Sequence, residues 1–119
     1  MNEKEVTYFE KQLGADLPKV YRKFLLEIGG VAIYEVGVRP IERREPFYED
    51  WLIEILYGGA DDKPYDLWSR TAVYKDRIPG RMIPIGENLF GDQFCLAIQG
   101  PDRGKIYFWS HDDFNGSSD

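Results

Sequence analysis

The sequence has very little of the chemistry on which many enzymes and secreted proteins depend. It contains one cysteine, Cys95, and one histidine, His111. A lone thiol excludes an internal disulfide, and a lone histidine leaves a transition-metal site short of ligands. The chain also lacks an apolar run near 20 residues and a charged N-terminus followed by an apolar segment, so neither a membrane span nor a secretion signal is expected. These absences predict a soluble cytoplasmic protein without cofactor, metal or membrane partner.

Basic residues are outnumbered. The chain carries 15 Lys+Arg against 21 Asp+Glu, a formal net charge of -6. Phosphate binding depends on concentrated basic groups, so direct binding to nucleic acid is not expected. An acidic surface suits a basic protein partner, because complementary potentials speed encounter. A solvated acidic surface that only keeps the protein soluble is an equally simple interpretation.

Two helices are predicted at the start of the chain. Asn2 and Glu5 have the spacing of a capping box, and apolar residues then recur at helical intervals until Gly14. A second helix is predicted from Pro18 to Gly29. Its apolar stripe consists of Val20, Tyr21, Phe24, Leu25 and Ile28.

The rest of the chain is mainly strand-like. Apolar and β-branched runs predict strands at residues 31–38, 51–57, 82–85, 93–98 and 105–109, and a helix is predicted at 65–76. The last two strands form a hairpin across a Gly/Pro-rich loop. This order predicts one α+β domain, with helices on one face of a single, mainly antiparallel sheet. Five residues are predicted to be largely buried: Tyr21, Leu25, Ile85, Leu96 and Phe108.

Short motifs along the chain resemble a known family. The fragments that are similar to the opening of the SUKH superfamily are L-G-A-D-L-P at 13–18, Tyr21, F-L at 24–25 and G-G at 29–30. Those that resemble its later motifs, in the same order, are M-I-P-I-G at 82–86, G-D at 91–92, C-L at 95–96 and G-K-I-Y-F-W at 104–109 with His111. Together they span residues 13–111. The resemblance implies a single SUKH-like domain over 1–119, with 115–119 as a flexible tail.

The resemblance also implies a function. Most bacterial members are immunity proteins, which bind and neutralise a toxin, often a nuclease, and have no catalytic residues. Fungal members are associated with cell-wall glucan synthesis and signalling, which implies a regulatory or scaffold module as the alternative. The sequence departs from the family pattern at residues 97–99 and in ending where many members continue into a final helix. Three interpretations remain open: a short member of the family, a truncated one, or one in which a second copy of the chain covers the face that such a helix would otherwise occupy.

Several sequence patterns could in principle form a metal site, a phosphate-binding loop or a catalytic nucleophile. His111 is followed by two aspartates, but too few ligands accompany it for a metal site, so a solvated turn is the preferred interpretation. Residues 86–92 lack the glycine spacing of a phosphate cradle and read as a β-turn. Cys95 lies among apolar residues, which favours a buried side chain over a nucleophile. We therefore predict no catalytic residues and no enzymatic activity.

Acidic residues beside aromatic ones are the best candidates for binding a partner. Interfaces use buried aromatic anchors surrounded by polar rims. On this basis the residues predicted to bind a basic toxin domain are Asp61, Asp62, Trp68, Asp92, Trp109, Asp112 and Asp113. The sequence alone does not separate a toxin inhibitor from a regulatory module that binds another protein or a small ligand.

Overall fold

The structure is a computed structural model that describes residues 1–29, 36–37 and 52–110. Its helices are α1 (Glu3–Leu13), α2 (Lys19–Glu27) and α3 (Leu67–Val73), with a 3-10 turn at Ala60–Asp62 before α3. Its strands are β1 (Val36–Gly37), β2 (Leu52–Ile53), β3 (Ile55–Leu56), β4 (Met82–Glu87), β5 (Gln93–Ala97) and β6 (Ile106–Trp109). The predicted tail at 115–119 lies outside the described residues.

The predicted first helix is confirmed, with its caps. The Asn2 side chain accepts a hydrogen bond from the backbone N–H of Glu5 at 2.8 Å, which satisfies one of the free donors at the start of α1. Gly14 ends the helix with φ of 72°, a left-handed conformation that costs glycine little. The local signals in this segment are therefore sufficient to place α1.

The second helix begins after Pro18 as predicted, but its buried face is narrower than the predicted stripe. Tyr21 and Leu25 are buried, whereas Val20 is 85% exposed and Ile28 is 66% exposed. Val20 lies about 100° around the helix from Tyr21, and Ile28 is the C-terminal cap. Only the middle of the predicted stripe therefore packs against the core.

The third helix is shorter than the predicted segment 65–76. It begins after Asp66, whose side chain accepts a hydrogen bond from the Ser69 N–H at 3.0 Å, and it ends at Val73. The chain then turns, with the N–H groups of Arg77 and Ile78 donating to the Tyr74 carbonyl. This turn leads back to the start of β4.

Within residues 1–29, 36–37 and 52–110, the strands form two sheets instead of the predicted single one. β1 and β2 pair with each other, and β3, β4, β5 and β6 form a second sheet in that order. All of these pairs are antiparallel, which confirms the α+β class. The predicted strand 51–57 is broken because it changes partner: Ile53 is opposite Val36 in β1, and Ile55 is opposite Glu87 in β4.

The predicted hairpin between the last two strands is confirmed. Phe94 is opposite Phe108 and Leu96 is opposite Ile106. The connecting loop contains Gly100 with φ of 86°, a conformation that most other residues adopt only at a cost. The turn-forming residues of the loop were therefore sufficient to predict where the hairpin lies.

Two buried clusters lie against alternate residues of the central strands. Ile83, Phe94 and Leu96 belong to the larger cluster with residues of all three helices, while Met82 and Cys95 belong to a smaller one with Trp109. Because side chains alternate between the faces of a sheet, both faces of the sheet are packed. The predicted placement of the helices on one face is confirmed, since buried residues of α1, α2 and α3 all belong to the larger cluster. The turn after α3 covers the second face through Ile78.

Burial follows the predictions at four of five positions. Tyr21, Leu25, Ile85 and Leu96 are buried, but Phe108 is 39% exposed. Phe108 lies in β6, at the edge of the four-stranded sheet, where fewer neighbours cover a side chain.

Candidate protein-binding surface

The structure separates the seven predicted binding residues into distinct places. Asp61 and Asp62 lie in the 3-10 turn, close in sequence to Trp68 in α3. Asp92 and Trp109 lie at the opposite end of the sheet, because the Gln93–Trp109 pair adjoins the β4–β5 loop. Two of the seven, Asp112 and Asp113, lie outside the described residues.

The 3-10 turn is fixed against the start of α1. The Ala60 N–H donates to a Glu5 carboxylate oxygen at 2.7 Å, and the Gly59 N–H donates to the Asp62 carboxylate at 2.9 Å. A Cβ atom at Gly59 would lie only 2.7 Å from the same Glu5 oxygen, so a larger residue there would displace the Glu5 side chain from this position. Two residues that are 55 positions apart thereby hold the acidic turn in one orientation.

Trp68 is anchored by aromatic side chains of α1. Its ring centroid lies 5.0 Å from that of Phe9 in an edge-to-face arrangement and 6.5 Å from that of Tyr8. Phe9 is buried, whereas Tyr8 is 57% exposed. The indole N–H of Trp68 is buried and has no hydrogen-bond partner among the described residues. The aromatic group thus extends from the core to the surface and ends in an exposed tyrosine.

The carboxylates beside this aromatic group have no cationic partner within the described part of the chain. The ion pairs found there include those of Arg22 with Glu3 and Glu10, but none that involves Glu5, Asp61 or Asp62. Lys4 and Lys63 are sequence neighbours of these carboxylates, so both signs occur with an acidic excess. We call this set the acidic–aromatic surface; its residues are Glu5, Tyr8, Asp61, Asp62 and Trp68.

Sequence reasoning missed two members of this surface. Glu5 and Tyr8 are three residues apart on α1, and positions with that spacing are neighbours on one face of a helix. An acidic and an aromatic residue on the outer face of an amphipathic helix could have suggested them. Their proximity to the 3-10 turn and to Trp68, however, depends on tertiary packing.

Asp92 holds the β4–β5 loop closed. It is 6% exposed, and its carboxylate accepts a hydrogen bond from the Asn88 side-chain amide at 3.1 Å. The side-chain oxygen of Asn88 in turn accepts hydrogen bonds from the backbone N–H groups of Phe90 and Asp92, both at 2.9 Å. Through these hydrogen bonds, Asp92 stabilises the conformation of the β4–β5 loop.

Trp109 also lies in the interior, with 5% of its surface exposed. Its ring packs edge-to-face on Tyr74 with centroids 5.5 Å apart, and the Arg77 guanidinium carbon lies 5.1 Å from the ring centroid. Asp92 and Trp109 therefore offer little side-chain surface to a partner.

A buried polar network lies where α3 crosses the sheet. The Tyr57 hydroxyl lies 2.6 Å from the Gln93 side-chain oxygen and 2.9 Å from a Glu87 carboxylate oxygen. Arg70 approaches the same carboxylate at 3.9 Å, and its guanidinium carbon lies 5.4 Å from the centroid of the Tyr57 ring. Burial, followed by the negative charge of Glu87, raises the pKa of Tyr57. The hydroxyl therefore remains protonated over the physiological pH range.

The chemistry that the structure offers elsewhere is limited. Cys95 is 1% exposed, and burial raises the pKa of its thiol to about 12, which suppresses the reactive thiolate. Within 1–29, 36–37 and 52–110, no three His, Cys, Asp or Glu residues are grouped as a metal site would require. His111 lies outside these ranges, so the predicted absence of a metal site stays a prediction. None of the helices in the described ranges has the length and apolar character that a membrane crossing requires.

Comparison with known proteins identifies the family. The family SUKH_6, described as SMI1-KNR4 cell-wall, matches residues 3–117. A curated relative, the SPbeta prophage-derived uncharacterized protein YokK of Bacillus subtilis (strain 168), is 32% identical over 117 residues. That alignment covers 87% of this chain and 58% of the relative, so the chain spans less than two thirds of the relative's length. No solved structure matches the chain. Because the family match covers nearly every residue, the chain belongs to the SUKH superfamily.

Proposed function

We propose that this protein is an immunity protein that binds and neutralises a basic toxin domain, most simply a nuclease, in the cytoplasm and without catalysis of its own. The observation that carries the proposal is the acidic–aromatic surface, in which Trp68 and Tyr8 adjoin carboxylates that lack cationic partners among the described residues. A nuclease concentrates positive charge where it binds phosphate. An acidic surface can compete for that charge.

The rigidity of the surface supports its use in binding. Aromatic residues dominate the binding energy of many interfaces, especially where their own protein already holds them in place. Here Phe9 supports Trp68 from the core, and the Glu5–Ala60 hydrogen bond fixes the adjacent turn. A partner would therefore pay little conformational entropy to order these groups. The exposed carboxylates would mainly increase the association rate.

The comparisons supply an argument for each of two functions. The family description refers to the cell wall, which supports a regulatory or scaffold module that binds another protein or a small ligand. The relative is derived from a bacterial prophage, which favours a bacterial role over the fungal association with cell-wall glucan. Together with the charge of -6, this ranks the immunity function first.

The proposal is tested by measuring association and dissociation rates with the C-terminal domain of a toxin encoded next to this protein's gene. Asp61→Lys removes an exposed carboxylate that makes no hydrogen bond in the described structure. The matched control is Asp76→Lys, which reverses the charge of an exposed residue after α3. Asp62 is unsuitable for charge reversal because it accepts the Gly59 N–H; Asp62→Asn retains an acceptor oxygen there.

We expect Asp61→Lys to slow association several-fold at low salt and to weaken its salt dependence, while Asp76→Lys leaves both unchanged. Tyr8→Ala should mainly speed dissociation, with a cost of at least about 2 kcal/mol if Tyr8 is a hot spot. Tyr8 is suited to this test because it is 57% exposed, so its removal spares the core. Equal effects of the two charge reversals, with no effect of Tyr8→Ala, would show that the toxin binds elsewhere. Absence of binding by the wild type would reject the immunity function itself.

A further inference from the structure

The outer edge of β6 combines exposed apolar side chains with backbone groups that have no partner strand in the described part of the chain. Ile106 is 44% exposed and Phe108 is 39% exposed, and both project from the same face because they are two residues apart. Within the described ranges, β6 pairs with β5 and with no other strand. An unprotected strand edge of this kind is a template for pairing with another strand.

The hydrogen bonds of the hairpin show which backbone groups point outward. The Ala97 N–H donates to the Lys105 carbonyl at 2.9 Å, so the carbonyl of Lys105 points toward β5. Backbone groups alternate in direction along a strand. Those of Ile106 and Phe108 therefore point away from β5, and the residues with exposed side chains are also those whose N–H and C=O groups are unpaired within the described residues.

We propose that β6 pairs with β6 of a second copy of this chain, antiparallel across a two-fold axis at Tyr107. This register places Ile106 opposite Phe108 of the partner subunit, and both residues have outward-pointing backbone groups. It forms four backbone hydrogen bonds, two on each side of the axis. Tyr107 lies opposite its own counterpart as a non-hydrogen-bonded pair. The result is a continuous eight-stranded sheet, made from two four-stranded sheets.

The charges along the edge are compatible with a second copy. No charged residue lies within Ile106–Trp109, so the pairing places no like charges opposite each other. Lys105 lies at one end of the strand, and the sequence after the other end continues with Asp112 and Asp113. In the antiparallel pair, Lys105 at the start of one strand therefore lies near the last residue of the partner strand. Two acidic residues, Asp112 and Asp113, follow that residue in the sequence.

The exposed area predicts a weak dimer. Full burial of a side chain of this size removes about 200 Å² of surface. The exposed fractions of Ile106 and Phe108, 44% and 39%, then correspond to roughly 160 Å² per copy, whereas standard interfaces bury about 800 Å² per partner. Backbone pairing adds to this area, so we expect association in the high micromolar range. The acidic–aromatic surface and the proposed dimer contact use different elements, because none of the residues of that surface lies in β6.

Sedimentation velocity on the full chain tests the dimer, at concentrations from about 10 μM to 1 mM, where contacts of this size dissociate. The wild type should shift from monomer to dimer over this range. Ile106→Lys, which places a charge opposite Phe108 of the partner subunit, should remain monomeric. Val20→Lys is the matched control, because Val20 is an exposed apolar residue on α2, and it should dimerise like the wild type. A wild type that stays monomeric, or two lysine variants that behave alike, would overturn the proposal.

Cysteine cross-linking tests the register independently of the lysine variants. The Cα atoms of a non-hydrogen-bonded pair lie about 4.5 Å apart, within the range in which a disulfide forms. Tyr107→Cys should therefore form a covalent dimer on mild oxidation. Ile106→Cys should not, because two-fold-related atoms at that position would be about 8 Å apart. The wild type serves as the blank, since its Cys95 is buried. Equal cross-linking at the two positions would indicate random collision and would reject the register.

Discussion

The polar network around Tyr57 should contribute measurably to stability. The side-chain amide of Gln93 donates to the Gly91 carbonyl at 3.0 Å, which fixes the orientation of the amide. Its oxygen therefore faces the Tyr57 hydroxyl at 2.6 Å. Tyr57→Phe removes this hydroxyl and changes nothing else in the ring. Gln93 has no exposed surface, so water cannot replace the lost donor without a structural change.

The size of the effect follows from these contacts. A buried acceptor left without a donor costs about 1–3 kcal/mol. The second acceptor, the Glu87 carboxylate, still has Arg70 at 3.9 Å and is partly exposed to solvent. The loss of its hydrogen bond from Tyr57 therefore adds less to the cost in stability. We therefore expect Tyr57→Phe to lower the free energy of unfolding by about 1–3 kcal/mol, which for a domain of this size corresponds to a fall in Tm of roughly 4–12 °C.

The matched control is Tyr74→Phe. The Tyr74 hydroxyl accepts from the Gln93 amide at 3.2 Å, but that amide also has the Gly91 carbonyl as a partner. Removal of the Tyr74 hydroxyl should lower the free energy of unfolding by less than about 1 kcal/mol. Urea unfolding of both variants and the wild type gives the comparison. A Tyr57→Phe variant no less stable than Tyr74→Phe would refute the view that the buried Gln93 oxygen depends on Tyr57.

Two further predictions concern glycine and cysteine. Gly86→Ala should destabilise the protein by about 1–3 kcal/mol, because its Cβ would lie 2.7 Å from the Ile55 carbonyl oxygen; Gly80→Ala, with open space around its Cβ, should change the urea midpoint little. Cys95 should react with a thiol reagent at pH 8 only after unfolding. The pKa of the Cys95 thiol is about 12 in the folded protein and about 8.5 in the unfolded chain. Because the thiol ionises first in the unfolded chain, its contribution to the free energy of unfolding should be intact below pH 8 and decline as pH rises from there toward 12. Replacement of Cys95 by alanine should remove that part of the decline.

Local signals made much of the fold predictable. The capping residues Asn2 and Gly14 placed α1, and the turn residues between β5 and β6 placed the hairpin. Both depend on interactions between residues close in sequence, which composition and spacing report directly. The family motifs were predictable for the same reason, since they consist of contiguous fragments.

Features that depend on distant contacts were not predictable. Phe108 and Trp109 are both apolar and adjacent, yet one is 39% exposed and the other 5%. The difference arises because β6 is an edge strand, with Tyr74 and Arg77 covering only the face that carries Trp109. The Glu5–Ala60 hydrogen bond likewise joins residues 55 positions apart. A single sequence contains no signal for such pairings.

The central claim is that this protein neutralises a toxin by binding it. The most direct measurement is survival of cells that express the toxin domain encoded beside this protein's gene, with and without co-expression of the protein. The account predicts that the wild type and Asp76→Lys restore growth, and that Asp61→Lys combined with Tyr8→Ala restores it less at equal protein abundance, because the acidic–aromatic surface makes the contact. Growth arrest that persists with abundant, folded wild-type protein would contradict the immunity function and favour the regulatory module.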